Sequence, residues 1–127
     1  MKIYTSYFAK LKKILDAGYF PISIARYIPK GIDNISQLNI FAPSEELLRK
    51  IKSGEIDETE YEKIYRKDME RFDFNRVWDT FEQISEINGK KDLVLLCYEK
   101  SGDFCHRHIF ASLMGEKTNN KIEELNI

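Results

Sequence analysis

The chain has 127 residues, of which 43% are hydrophobic and 32% are charged. Its 20 Lys and Arg residues nearly balance its 21 Asp and Glu residues, which gives a formal net charge of −1. This composition disfavours intrinsic disorder, because enough apolar side chains are present to offset the entropy lost on folding, and it disfavours a strongly basic nucleic-acid binder. The length suits a single domain, which we place over residues 1–127.

Targeting signals and cysteine usage indicate where the protein works. No stretch approaches the roughly 20 apolar residues of a membrane-spanning helix, and no signal peptide is visible. The two cysteines, Cys97 and Cys105, are too few for the disulfide framework of a small secreted protein. We therefore expect a cytoplasmic protein with reduced thiols and no membrane partner.

The N-terminal part of the chain predicts a strand, a helix and a second strand. Residues 2–8 are rich in the β-branched and aromatic side chains typical of strands. Residues 9–17 place apolar side chains on one face and lysines on the other, and Gly18 is a candidate helix end. Strand composition returns over residues 19–25. A parallel pair of strands joined by the helix is the economical topology.

The middle of the chain begins without a regular pattern and then becomes helical. Residues 26–42 predict a long surface connection, and connections of this length are often functional. Ser44 is a candidate N-cap for a helix that ends near Gly54. Two more helices are predicted over residues 59–71 and 74–87, where aromatic side chains recur at the spacing of a core-facing stripe.

The C-terminal part of the chain completes the predicted fold. Residues 93–98 are apolar on both faces, as expected of a central strand covered by helices on each side. A polar turn at residues 99–103, a short helix at 109–114, a loop at 115–120 and a weak strand at 121–127 follow. This order predicts an α/β fold, namely a three-layer Rossmann-like domain with a small, mostly parallel sheet flanked by helices.

Polar and reactive side chains gather where the predicted central strand meets the next helix. In open parallel sheets, ligands bind at the carboxyl ends of the strands, and a helix N-terminus at that edge favours an anion. We therefore expect a crevice for a small anionic ligand or a nucleotide. The predicted ligand-binding residues are Ser6, Ser23, Arg26, Lys30, His106 and Arg107, and the predicted catalytic residues are Glu99, Cys105 and Cys97.

Several of these residues also have a structural interpretation. Cys97 suits a core position as well as a nucleophile, whereas Cys105 has the basic surroundings that activate a thiol. Glu99 fits a general base or an acceptor for loop amides. Arg107 fits a ligand-binding role, or an ion pair with Asp103 or Glu99.

The junction between the predicted central strand and the next helix does not match three well-defined motifs, namely a thiol phosphatase loop, a zinc knuckle and a glycine-rich nucleotide-binding loop. A thiol phosphatase loop needs a cation shortly after the strand-end cysteine, but Gly102 and Asp103 stand at the required positions after Cys97. The C-x7-C-H-x-H spacing lacks the paired ligands of a zinc knuckle, and glycine-rich nucleotide fingerprints are absent. Because His106 and His108 are two residues apart on a helix, at most one faces the crevice. We expect no metal and no cofactor.

The junction carries the motifs Cys97-Tyr98-Glu99 and Cys105-His106-Arg107, and Ile22–Tyr27 precedes them. With these features the chain resembles the domain-of-unknown-function 488 family, in which an apolar strand ends in Cys-Tyr-Glu and a helix opens with Cys-His-Arg. The resemblance implies a small cytosolic α/β domain and does not supply a reaction. The candidate positions it carries over are Ser23, Arg26, Cys97, Glu99, Cys105, His106 and Arg107.

Three functions stay open at this point. The first is an enzyme acting on a phosphate-bearing small molecule or nucleotide, with Arg26 and Arg107 holding the anion and Glu99 or Cys105 reacting. The second is a non-catalytic module for a nucleotide or a nucleic-acid end, since the near-neutral charge disfavours binding to an extended duplex. The third is a protein-interaction or inhibitor domain that uses residues 26–42. The sequence leaves the oligomeric state undetermined.

Overall fold

The structure is a computed structural model that describes residues 1–99 and 104–127. The predicted polar turn at residues 99–103 therefore lies outside the described residues from position 100 onward. The described part contains five strands and five α-helices. They are β1 (Ile3–Tyr7), α1 (Leu11–Asp16), β2 (Phe20–Ser23), β3 (Ser36–Gln37), α2 (Glu45–Ser53), α3 (Glu58–Met69), α4 (Phe74–Ile87), β4 (Leu93–Cys97), α5 (His106–Thr118) and β5 (Glu123–Glu124).

The five described strands form one sheet in the order β3-β2-β4-β1-β5, and every neighbouring pair is parallel. Leu95 at the centre of β4 is in register with Thr5 of β1 and Ile22 of β2. The first two strands are parallel, as predicted, but β4 lies between them. Because all strands point the same way, their carboxyl ends share one edge of the sheet.

Helices cover both faces of the central strand. Leu93 and Leu95 pack into a core built with α3, α4 and α5. Val94 and Leu96 point to the opposite face and pack with Ile14 of α1. All five side chains are fully buried, so the alternation along β4 serves two cores rather than one core and solvent. The fold is a three-layer, Rossmann-like α/β architecture, which confirms the prediction.

Local sequence signals place several helix ends. The Ser44 hydroxyl accepts a hydrogen bond from the Leu47 amide at 3.1 Å and caps α2. The Asp57 carboxylate accepts from the Glu60 amide at 2.9 Å and caps α3. These side chains satisfy amides that the first helical turn leaves without a backbone acceptor. Gly54 ends α2 with a φ of 80°, a conformation that glycine adopts without a steric cost.

The prediction of an irregular connection over residues 26–42 is wrong in part. Ser36–Gln37 adds a parallel edge strand to β2, and Asn39–Phe41 forms a turn of 3-10 helix. Neither element is longer than three residues. Such short elements do not repeat often enough to produce a periodic hydrophobic pattern, so the sequence did not reveal them.

The C-terminal helix is longer than predicted. It begins at His106, three residues before the predicted start, and continues to Thr118, so the predicted loop at residues 115–120 is wrong over most of its length. Gly115 lies inside this helix, where a single glycine is tolerated at a modest cost. The helix ends instead at Asn119, whose φ of 60° is left-handed. No helix in the described part of the chain is long and apolar enough to cross a membrane.

Candidate functional site

A cleft of about 570 Å³ opens at the carboxyl ends of β2 and β4. Its volume lies within the roughly 300–1,000 Å³ that is typical of small-molecule sites. The walls come from the residues that follow these two strands, from the N-terminus of α5, and from α2 and α3. Of the predicted site residues, those on the wall are Arg26, Cys97, Glu99, Cys105 and His106.

Four predicted ligand-binding residues lie away from the cleft wall. Ser6 is buried within β1 and pairs in register with Leu96. The Ser23 hydroxyl is buried and accepts a hydrogen bond from the Ala25 amide at 3.2 Å, so it shapes the chain at the end of β2. Lys30 is exposed in the connection that follows. The fourth residue, Arg107, is fully buried and contacts Cys97 and Glu99 of the cleft wall.

The guanidinium of Arg107 is fully buried and joins three segments of the chain. Its Nε and Nη2 atoms donate to the two carboxylate oxygens of Glu124 at 3.1 and 2.8 Å. Its Nη1 atom lies 3.1 Å from the Cys97 sulfur and donates to the backbone carbonyl of Glu99. The expected partners were the side chain of Glu99 or Asp103, and Asp103 lies outside the described residues. Arg107 instead ties α5 to β5 and fixes the backbone of Glu99.

The sulfur atoms of Cys97 and Cys105 are joined in a disulfide on the cleft wall. The prediction of two reduced thiols is therefore wrong for this structure. The fold brings the two cysteines together, because Cys97 is the last residue of β4 and Cys105 is the N-cap of α5, the helix that follows β4. Neither sulfur is a free nucleophile in this form. Of the three predicted catalytic residues, Glu99 retains its acid–base group.

His106 is buried in a neutral state. Its Nε2 atom lies 2.8 Å from the carbonyl oxygen of Ile24, which can only accept, so Nε2 carries the proton. The unprotonated Nδ1 atom lies 3.9 Å from the Cys105 sulfur. Burial lowers the pKa of His106 to about 4, and the charge of Arg107 contributes in the same direction. The other histidine of the pair, His108, lies off this wall.

Arg26 and Lys52 contribute positive charge to the wall of the cleft. The Nε atom of Arg26 donates to the backbone carbonyl of Pro43 at 2.9 Å. Its terminal Nη atoms form no hydrogen bond or ion pair with the residues that the structure describes. The exposed Glu99 provides a carboxylate on the same wall, with Oε2 at 3.8 Å from the Cys97 sulfur. Counting the described residues alone, the cleft wall therefore carries two cations and one anion.

The sequence analysis missed Tyr61 and Lys52 as cleft residues. Tyr61 is buried, and within the described segments its hydroxyl forms no hydrogen bond. Burial and the nearby charge of Glu99 raise the pKa of Tyr61. Tyr65, one turn further along α3, donates its hydroxyl to the Phe41 carbonyl at 2.6 Å. Helical spacing marked both tyrosines as core residues, and no sequence signal separates them.

The fold and the cleft define a three-layer α/β protein with a ligand-sized site at the carboxyl ends of its parallel strands. This chain belongs to the DUF488 family, since a family model, DUF488-N3a, described as the active DUF488-N3 subclade, matches residues 7–118. The match confirms the family that the Cys-Tyr-Glu and Cys-His-Arg motifs indicated. No curated protein and no solved structure matched the chain.

Proposed function

We propose that the cleft binds a phosphate-bearing small molecule or nucleotide and catalyses a reaction on it. The observation that carries this proposal is Arg26, whose Nη atoms have no partner among the described residues and which lines a cleft of about 570 Å³. An arginine fork suits phosphate, because it offers parallel donors in a fixed geometry. Lys52 adds a second positive charge on the same wall.

Aromatic side chains favour a nucleotide over a bare phosphate. The rings of Tyr61 and Phe104 meet edge to face with centroids 5.0 Å apart, and Tyr98 is 48% exposed on the same wall. Stacking of a base on an aromatic side chain contributes roughly 1–3 kcal/mol. In this arrangement the base lies against the aromatic wall and the phosphate lies near Arg26. We propose that the protein acts in the cytoplasm, because nucleotides are plentiful in that compartment.

Glu99 is the proposed acid–base group. Its backbone carbonyl accepts from the buried Arg107, while its carboxylate is exposed in the cleft. A general acid or base needs a carboxylate that the substrate can reach and a backbone that holds this carboxylate in position, and Glu99 meets both requirements. The family model that matches the chain is described as an active subclade, which supports catalysis over binding alone.

A thermal-shift screen tests the binding step. Nucleoside mono-, di- and triphosphates, sugar phosphates, inorganic phosphate and a 5′-phosphorylated oligonucleotide are added separately to the wild-type protein. We expect at least one nucleotide to raise the melting temperature, because a ligand that binds only the folded form stabilises it. The absence of a shift with every phosphate compound overturns the proposal. A shift with the oligonucleotide alone, strongly weakened by salt, favours a nucleic-acid-end module.

Incubation with the ligand from that screen tests the catalytic step. Product formation by wild type and by Glu99→Gln is followed by chromatography and mass spectrometry. We expect the variant to bind within about tenfold of the wild type and to lose turnover by at least about 100-fold, as general acid–base residues do. Ligand binding without any turnover by the wild type contradicts an enzyme and leaves a binding module.

A further inference from the structure

We propose that Cys97, Cys105 and His106 form a Zn²⁺ site on the wall of the cleft when the disulfide between the two cysteines is reduced. The three residues are buried, and their ligand atoms all lie within 4.8 Å of one another. Two thiolates and an imidazole form a donor set that favours Zn²⁺. This inference does not depend on a nucleotide being the substrate of the cleft.

The orientation of His106 is that of a metal ligand. Its Nε2–H donates to the Ile24 carbonyl at 2.8 Å, which leaves the lone pair on Nδ1. That atom lies 3.9 Å from the Cys105 sulfur. Histidines that bind metals usually donate their second ring N–H to a carbonyl or carboxylate, which fixes the tautomer and the ring. The second hydrogen bond of such a ligand is therefore already present.

The backbone leaves room for the two sulfur atoms to stand apart. The Cα atoms of Cys97 and Cys105 are 7.5 Å apart, whereas those of a disulfide usually lie roughly 4.4–6.8 Å apart. With Zn–S bonds of about 2.3 Å, two sulfurs on one tetrahedral Zn²⁺ lie roughly 3.8 Å apart. The Nη1 atom of Arg107 donates to the Cys97 sulfur at 3.1 Å and holds it at the wall of the cleft.

The fourth position of the site faces the cleft. Oε2 of Glu99 lies 3.8 Å from the Cys97 sulfur, so either this carboxylate or a water molecule completes a tetrahedron. Three protein ligands and one open position are the usual pattern of catalytic zinc sites, in contrast to the four protein ligands of structural ones.

The chemistry of assembly needs a dithiol reductant. The two thiols of the reductant become its own disulfide, and the protein S–S bond takes up two electrons and two protons, which produces the thiols of Cys97 and Cys105. Binding of Zn²⁺ then forms two Zn–S bonds and releases the two thiol protons. The disulfide and the metal site are thus alternative states of the same two sulfur atoms.

Cobalt(II) is the probe that tests this site. The full chain is reduced with a dithiol, freed of it under nitrogen and titrated with Co²⁺ alone. We expect saturation at one equivalent, with strong visible bands of tetrahedral Co²⁺ and near-ultraviolet thiolate-to-metal bands that Zn²⁺ removes. Untreated disulfide-bonded protein shows neither. If the reduced protein gives only the weak absorption of octahedral Co²⁺, the proposal is overturned.

Two histidine variants identify the nitrogen ligand. His106→Gln is expected to weaken Co²⁺ binding by at least about tenfold, whereas His108→Gln, on the same helix and off the cleft wall, leaves it unchanged. Equal behaviour of the two variants contradicts the assignment. Circular dichroism reports whether each variant folds, and the comparison of reduced with oxidised wild type needs no variant. The titration contains no nucleotide, so its outcome is separate from that of the proposed function.

Discussion

Arg26 and Arg107 both lie at the carboxyl edge of the sheet, but their surroundings differ. Arg107 is fully buried, and all three of its guanidinium nitrogens have partners in β4, in β5 or at Glu99, two residues after β4. Arg26 is partly exposed, and within the described part of the chain its one hydrogen bond runs from Nε to a backbone carbonyl. An arginine near the strand ends is therefore not necessarily a ligand-binding residue. A guanidinium whose nitrogens all donate within the protein stabilises the fold, whereas one with donors left over can bind a ligand.

The same contrast recurs one turn apart on α3. Tyr61 and Tyr65 are both buried and stack with ring centroids 6.3 Å apart. The Tyr65 hydroxyl donates to the backbone of Phe41, whereas the Tyr61 hydroxyl has no such partner among the described residues. One tyrosine therefore stabilises the fold, and the other has a donor left for the cleft.

The largest expected effect comes from the buried arginine. Arg107→Met should lower the free energy of unfolding by about 3 kcal/mol, because it removes a fully buried guanidinium together with its hydrogen bonds to Glu124 and to the Glu99 carbonyl. Arg26→Met should lower it by only about 1 kcal/mol or less, because it removes the one hydrogen bond to the Pro43 carbonyl. Urea denaturation without reductant measures both.

A double variant sharpens this first prediction. Arg107→Met combined with Glu124→Leu should be more stable than Arg107→Met alone, because replacing both partners of an ion pair costs less than replacing one of them. Equal stability of Arg107→Met and Arg26→Met would contradict the distinction between the two arginines.

The next effect is a pH dependence due to His106. Its pKa is about 4 in the folded protein and about 6.5 in an unfolded chain, so the unfolded state binds more protons between these values. The free energy of unfolding should therefore fall as the pH drops from 6.5 towards 4, by about 3 kcal/mol in total, and the loss should level off below that.

The control for this pH dependence is His106→Gln, studied in metal-free, disulfide-bonded protein. The difference in unfolding free energy between wild type and variant isolates the histidine from the carboxylates that titrate in the same range. A difference that stays constant between pH 7 and pH 4 would mean that His106 is not held neutral by burial.

A smaller effect concerns ligand affinity. Arg26→Gln should weaken binding of the nucleotide found in the screen by about tenfold or more, since a hydrogen bond to a charged group contributes roughly 1.5–3 kcal/mol. Lys30→Gln is the matched control, because Lys30 is exposed but lies off the cleft wall. Calorimetric titration measures both. A loss of affinity in Lys30→Gln alone would move the binding site away from the cleft.

The smallest effect separates the two tyrosines. Tyr65→Phe should lower the free energy of unfolding by about 1 kcal/mol, the usual value of one hydrogen bond, whereas Tyr61→Phe should change it by less than about 0.5 kcal/mol. Urea denaturation again measures both variants. Equal losses in the two variants would show that the Tyr61 hydroxyl also stabilises the fold.

Local signals predicted most of the fold. The predicted Ser44 cap acts within three residues of its own position, and the all-apolar run of β4 required cover on both faces. The two-residue strand β3 and the end of α5 escaped prediction, because β3 depends on pairing with β2 and α5 continues through Gly115. In both places the packing of distant segments outweighed the local preference.

Composition, periodicity and the two cysteine motifs were enough to predict a parallel α/β fold, the DUF488 family and the edge of the sheet at which the polar and thiol-bearing residues lie. The tertiary structure was needed to show that Arg107 pairs with Glu124 and that Cys97 meets Cys105. It was also needed to show that, over residues 1–99 and 104–127, Arg26 and Tyr61 have donors without a partner. Propensity, capping and periodicity act over only a few residues along the chain, so they reveal helices and strands but not contacts between distant segments. The partners of a charge or a thiol depend on which distant segments pack against each other.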